Sequence, residues 1–134
     1  MVRGNSLLNR FLLISIGAVL GANARYLVGL WAAQRFGMAF PYGTALVNVS
    51  GSLVLGFLVA WGSTRSGLSP ELRLLVAVGF LGAYTTFSSF AVETVLQEES
   101  ANFASALLNI CVNNGLGILA AWVGIELAKR VAAF

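Results

Sequence analysis

The sequence contains no histidine and only one cysteine, Cys111, which lies inside an apolar stretch. Without these residues the chain cannot build the usual clustered metal site, a thiol pair, or a Ser-His or Cys-His nucleophile. Charged residues are also scarce, at 10% of the chain, whereas a soluble domain has about 25%. These absences exclude most enzyme chemistry and argue against a water-soluble domain.

Apolar residues make up 58% of the 134 residues, and they are gathered into long runs. A helix needs about 20 apolar residues to cross a bilayer, so four crossings would use most of the chain. The sequence therefore predicts an all-α membrane protein with a single four-helix domain over residues 1–134. The predicted spans are residues 11 to about 33, Tyr42–Trp61, residues 74–96, and residues 103 to about 127.

The basic residues are scattered and lie mostly near the predicted helix ends, where they indicate membrane anchoring rather than nucleic-acid binding. Four crossings place both termini on one side of the membrane. The opposite side has only Arg35 and, at most, Arg25. The positive-inside rule then predicts cytoplasmic termini. The charges on the terminal side are Arg3, Arg10, Arg65, Arg73, Lys129 and Arg130.

Polar residues recur at every fourth position in two of the spans, so each of these helices carries a polar stripe along one face. Such stripes can line a path through the membrane. They can also be hydrogen-bonding contacts between helices, which are common beside small residues. The two stripes are Thr44, Asn48 and Ser52 in the second span, and Ser105, Asn109 and Asn113 in the fourth.

The third span has a run of glycine and hydroxyl residues around its whole circumference (GFLGAYTTFSSF, residues 79–90). Non-helical backbone at membrane depth is tolerated only where protein or a cavity surrounds it. The run predicts a helix break between Gly82 and Thr86, although a continuous helix with hydroxyls bonded to its own backbone is the alternative. Phe87 and Phe90 share a helix face. Aromatic residues at this spacing usually serve packing alone, but their positive ring edges would also suit an anion path.

Three ordered motifs resemble the Fluc/CrcB fluoride channel family: residues 17–26 (GAVLGANARY), 43–52 (GTALVNVSGS) and 79–93 (GFLGAYTTFSSFAVE). The resemblance implies a bacterial inner-membrane channel that exports toxic fluoride passively. It also implies an antiparallel, dual-topology homodimer with two pores and a shared central Na⁺, without an organic cofactor. Some positions depart from the family pattern, namely Ala83, Tyr84, Ser89, Asn109 and Asn113, and the last two leave the pore role of the fourth span open.

The resemblance also assigns roles to individual residues. It makes Asn48 a pore-lining donor, Phe87 and Phe90 an aromatic ladder, and Arg25 a vestibule cation. Backbone carbonyls of Gly82 and Thr85 are expected to bind the Na⁺. Thr44, Ser88 and Asn113 complete the expected anion-binding set.

Two other functions and one other assembly remain open at this stage. A small proton-coupled multidrug exporter needs a carboxylate in its first helix, and this chain has none there; Glu93 in the third span is the only candidate. A non-transporting membrane subunit would use the polar stripes for helix contacts alone. Because the basic residues favour one orientation, the partner could also be an inverted paralogue instead of a second copy.

Overall fold

The computed structural model describes residues 4–63, 67–100 and 102–133, and the side chains among these from residue 7 onward. Within these ranges the chain is helical and contains no strand. Helix α1 is Gly4–Phe36, α2 is Tyr42–Trp61, and α5 is Phe103–Ala132. The third span, Pro70–Glu99, is divided into α3 (residues 70–84) and α4 (Phe87–Glu99). Arg3 and Arg65, which contributed to the predicted orientation, lie outside the described residues.

All four spans are long and apolar enough to cross a membrane, and their outer faces remain exposed. Leu20, Leu27 and Ile118 are 57%, 62% and 72% exposed, respectively. A surface of large apolar side chains on every span is suited to contact with lipid acyl chains. The predicted four-span membrane protein is therefore confirmed.

The ends of the spans follow local sequence signals. The second span was predicted at its observed limits. The hydroxyl of Ser69 accepts a hydrogen bond from the Leu72 N–H at 3.2 Å, and Pro70 occupies the first helical position, where proline is favoured. α1 and α5 extend beyond their predicted limits because their polar terminal residues continue the helix outside the apolar region.

Glycines allow the helices to pack in two close pairs, α1 with α3 and α2 with α5. A β-carbon on Gly79 would lie 2.6 Å from the Ile14 carbonyl oxygen on α1. One on Gly56 of α2 would collide with the Ala121 carbonyl oxygen on α5. Close backbone approach at small residues is the usual basis of helix association in membranes. The third span packs mainly against α1 before its break and against α5 after it, with smaller contacts to α2.

Two stretches of wider π-helix interrupt the regular helices: Arg73–Leu81 in α3 and Cys111–Leu116 in α5. Such turns change the direction of the following side chains and are frequent at functional sites. The second stretch contains Asn113, so it helps to set where that amide points. No proline or other sequence signal marks either stretch, and neither was predicted.

Candidate functional site

The third span breaks at Thr85 and Thr86, halfway along its 30 residues. Both residues are extended, with φ and ψ of −83° and 160° for Thr85 and −154° and 117° for Thr86. The Thr86 hydroxyl then caps α4 by accepting a hydrogen bond from the Ser89 N–H at 3.2 Å. The predicted break between Gly82 and Thr86 is confirmed, although Gly82 itself still belongs to the last turn of α3.

The side chain of Asn48 satisfies the backbone at this break. Its Oδ1 accepts from the Thr86 N–H at 2.8 Å, and its Nδ2 donates to the Thr86 carbonyl at 3.0 Å. In a continuous helix the Thr86 N–H would bond to the Gly82 carbonyl instead. The amide therefore replaces the missing helical bond, which is required because Thr86 is only 8% exposed.

Arg25 lies beside the break and not at either end of the bundle. Its Nη1 donates to the Thr85 carbonyl over 3.3 Å, and the side chain is half-buried. The Thr85 hydroxyl bonds back to the Leu81 carbonyl at 3.0 Å. Gly82 is exposed, and apart from its own turn of helix no described atom lies within 4 Å of the position that its β-carbon would take. The carbonyls of Gly82 and Thr85 thus belong to one short segment at an open surface.

The two predicted polar stripes meet at the break. Asn48 Nδ2 donates to Asn113 Oδ1 at 2.7 Å, and Asn113 Nδ2 donates to Asn109 Oδ1 at 2.8 Å. Asn109, which is fully buried, donates in turn to the Thr94 hydroxyl at 2.9 Å. The side chains of Asn48, Asn113, Asn109 and Thr94 are called the amide relay below. The relay joins α2, α5 and α4.

Phe87 and Phe90 lie on the same face of α4, as predicted. Their ring centroids are 5.5 Å apart with an interplanar angle of 63°, so one ring presents its edge to the other. Phe90 is 7% exposed, whereas Phe87 is 75% exposed. Both rings border a cleft of about 230 Å³ that also contains Asn48 and Asn113. Ser88 stands next to this cleft, with its hydroxyl 3.3 Å from that of Thr86.

A second polar group lies one helical turn away along α2. The Thr44 hydroxyl donates to Glu93 Oε1 at 2.7 Å. Glu93 Oε2 and Gln97 Oε1 are both buried without a hydrogen-bond partner among the described residues, and both side chains line a cleft of about 540 Å³. The sequence prediction missed Gln97, although its position four residues after Glu93 places both on one helix face.

Comparison with known proteins gives one family and many similar chains. Residues 12–125 match the family model described as CrcB-like protein, Camphor Resistance (CrcB). The chain is 46% identical over 117 residues to a fluoride-specific ion channel FluC of Trichormus variabilis, covering 87% of this chain and 85% of that protein. It is 45% identical over 116 residues to the FluC of Roseiflexus sp., covering 87% and 94%. It is 43% identical over 124 residues to the FluC of Rhizobium meliloti, covering 92% and 99%.

Proposed function

We propose, because the chain belongs to the CrcB family, that it is a fluoride-specific ion channel. It is a multi-pass membrane protein and not an enzyme. The observation that carries the proposal is the cleft at the broken span, where amides, hydroxyls and the two phenyl rings come together at membrane depth. We also propose that the membrane is the bacterial inner membrane and that export of toxic fluoride is the physiological result.

The groups in this cleft suit the passage of a small, strongly hydrated anion. The amide of Asn48 in the cleft and the hydroxyl of Ser88 beside it are neutral donors that would replace part of the water shell. The edges of Phe87 and Phe90 add weak positive potential. Conduction requires binding that is strong enough for entry and weak enough for exit, and neutral donors satisfy that requirement better than a fixed cation. We assign Asn48, Ser88, Asn113 and the two rings to the path on this basis.

Thr44 extends the proposed path towards one side of the membrane. It lies four residues before Asn48 on α2, a rise of about 6 Å along the helix. In this structure the Thr44 hydroxyl donates its hydrogen bond to Glu93, so an arriving anion has to compete with that carboxylate for the donor. At the break itself, we propose that the guanidinium of Arg25, which donates to the Thr85 carbonyl, supplies positive charge close to the cleft.

The multidrug exporter is not favoured. α1 carries no carboxylate among residues 4–36, and such a carrier needs one there to exchange protons for drugs. Glu93, the remaining candidate, is bound by the Thr44 hydroxyl. A non-transporting subunit would explain the amide relay as a helix contact, but it gives no reason for a helix break bordered by two phenyl rings.

We further propose an antiparallel homodimer with two pores. Two features near the break support a partner there: Phe87 is 75% exposed, and Gly82 faces open space. A two-fold axis beside the break would cover both surfaces in each subunit. An inverted paralogue would bury the same surfaces, so the composition of the dimer needs its own test.

The residues at the break also suit a Na⁺ ion shared by the two subunits. The Gly82 carbonyl has lost its usual helical donor, since the Thr86 N–H is bonded to Asn48. The Thr85 carbonyl accepts one long bond from Arg25 and keeps a second lone pair. Uncharged oxygens of this kind are suitable ligands for a hard cation. We propose that these carbonyls of both subunits hold the ion, which would neutralise their dipoles.

The experiment for the channel function is ion efflux from liposomes that contain the purified protein alone. We expect rapid fluoride release without a proton or sodium gradient, and chloride release close to that of empty vesicles. Fluoride release no faster than from empty vesicles would reject the channel. Equal fluoride and chloride rates would reject its selectivity.

The assembly is tested separately by a tag at the C-terminus, probed from each side of intact cells. A homodimer of oppositely inserted copies predicts labelling from both sides. Labelling from one side only, together with loss of fluoride resistance when the gene is expressed alone, would instead indicate an inverted paralogue.

A further inference from the structure

Both side-chain amide hydrogens of Asn48 are already donated in hydrogen bonds in this structure. One N–H donates to the Thr86 carbonyl at 3.0 Å, and the other donates to Asn113 Oδ1 at 2.7 Å. An amide nitrogen carries two hydrogens, so this side chain has no further donor for an anion. A fluoride ion that binds to Asn48 therefore has to displace one of these two acceptors.

The Thr86 carbonyl is the harder acceptor to displace. Asn48 bonds to both the N–H and the carbonyl of Thr86, and these paired bonds hold the break together. Asn113 is a side chain on a different helix, and it borders the cleft along with both phenyl rings. The donor that can be released to an anion is therefore the one now held by Asn113.

The orientation of the Asn113 amide is set by its neighbours. The Thr86 backbone fixes which end of Asn48 carries the nitrogen, and that nitrogen requires an oxygen from Asn113. The Asn113 nitrogen then faces two further acceptors, the Asn109 carbonyl at 3.0 Å and Asn109 Oδ1 at 2.8 Å. Asn109 is held in turn by donating to Thr94 and to the Phe90 carbonyl. The relay thus presents an oxygen to Asn48 and keeps it there.

We propose that Asn113 Oδ1 is an internal competitor for the anion: it occupies the Asn48 donor when the site is empty and withdraws when fluoride binds. Asn113 is then a positioning residue that weakens anion binding at Asn48. This inference rests on the proposed function as a fluoride channel. Withdrawal breaks the bonds to Asn109 as well, so the relay sets how strongly the anion has to compete. Weak binding favours release and therefore throughput.

The test is the dependence of single-channel fluoride current on fluoride concentration, measured for the wild type, Asn113→Ala and a matched control, Asn23→Ala. Asn23 is an exposed asparagine outside the cleft, and its amide donates to the Val19 carbonyl of its own helix. We expect Asn113→Ala to lower the half-saturating fluoride concentration by about 3- to 10-fold, the factor for one hydrogen bond of ordinary net strength. The control should stay within about 2-fold of the wild type, as expected for a neutral surface change.

A half-saturating concentration that is unchanged or raised in Asn113→Ala would overturn the proposal, since it would make Asn113 either irrelevant or a donor to the anion. Failure of the proposed channel function would be distinguishable from failure of this inference, because the wild type would then carry no fluoride current. If Asn113→Ala does not assemble, Asn113→Val replaces it with the same expectation, because valine also lacks an acceptor oxygen. If neither assembles, fluoride titration of the wild-type side-chain amide resonances decides: joint shifts of Asn48 and Asn113 support the proposal, and a shift of Asn48 alone overturns it.

Discussion

Replacement of Asn48 by alanine should destabilise the protein and stop conduction together. The substitution removes three hydrogen bonds: two to the Thr86 backbone and one to Asn113. Side-chain bonds between membrane helices average about 0.6 kcal/mol each, so three account for about 2 kcal/mol. Both Thr86 backbone groups then stay unpaired in a buried position, which adds to the loss. We expect the free energy of unfolding to fall by about 2–4 kcal/mol.

The assay is denaturant unfolding in detergent, combined with fluoride efflux from liposomes. Asn23→Ala is a suitable control because that exposed amide bonds only to the Val19 carbonyl of its own helix. It should change the unfolding free energy by less than about 0.5 kcal/mol. An Asn48→Ala protein as stable as the control would refute the role of this amide in holding the break, and normal efflux would refute its role in the path.

Two further predictions concern the cleft. Phe87→Ile and Phe90→Ile should each slow fluoride efflux at least tenfold while the protein elutes normally on sizing, because isoleucine keeps apolar bulk but has no positive ring edge; normal efflux from both variants would make the rings ordinary packing. Gly51→Ala should weaken both efflux and thermal stability, because its β-carbon would collide with Thr85 Cγ2 at the break. A Gly51→Ala protein with unchanged melting temperature and flux would show that the break tolerates displacement.

The sequence was sufficient for the large features of this fold. Long apolar runs predicted the number of spans, and the end of the second apolar run predicted that α2 ends at Trp61. The hydroxyl run predicted a break between Gly82 and Thr86 because consecutive hydroxyls replace backbone bonds where a helix opens. Polar residues at every fourth position predicted one polar stripe on each of two helices, and in the structure Asn48 of one stripe bonds to Asn113 of the other.

The finer features depend on contacts between distant parts of the chain. Arg25 bonds to a carbonyl 60 residues away, and no local pattern identifies that partner. The π-helical stretch around Asn113 has no sequence marker, although it affects where the amide points. Which atom of Asn113 faces Asn48 follows only from the chain of bonds that begins at the Thr86 backbone. The predicted roles in anion and Na⁺ binding stay predictions.

The most direct test of the central claim is the current through a planar bilayer with a tenfold fluoride gradient and equal chloride on both sides. Passive, fluoride-selective conduction predicts a reversal potential of about 59 mV in magnitude, the value for a tenfold gradient of a monovalent ion. The reversal potential should stay the same when a proton gradient is added. A reversal potential near zero, or one that shifts with the proton gradient, would contradict a fluoride-selective channel.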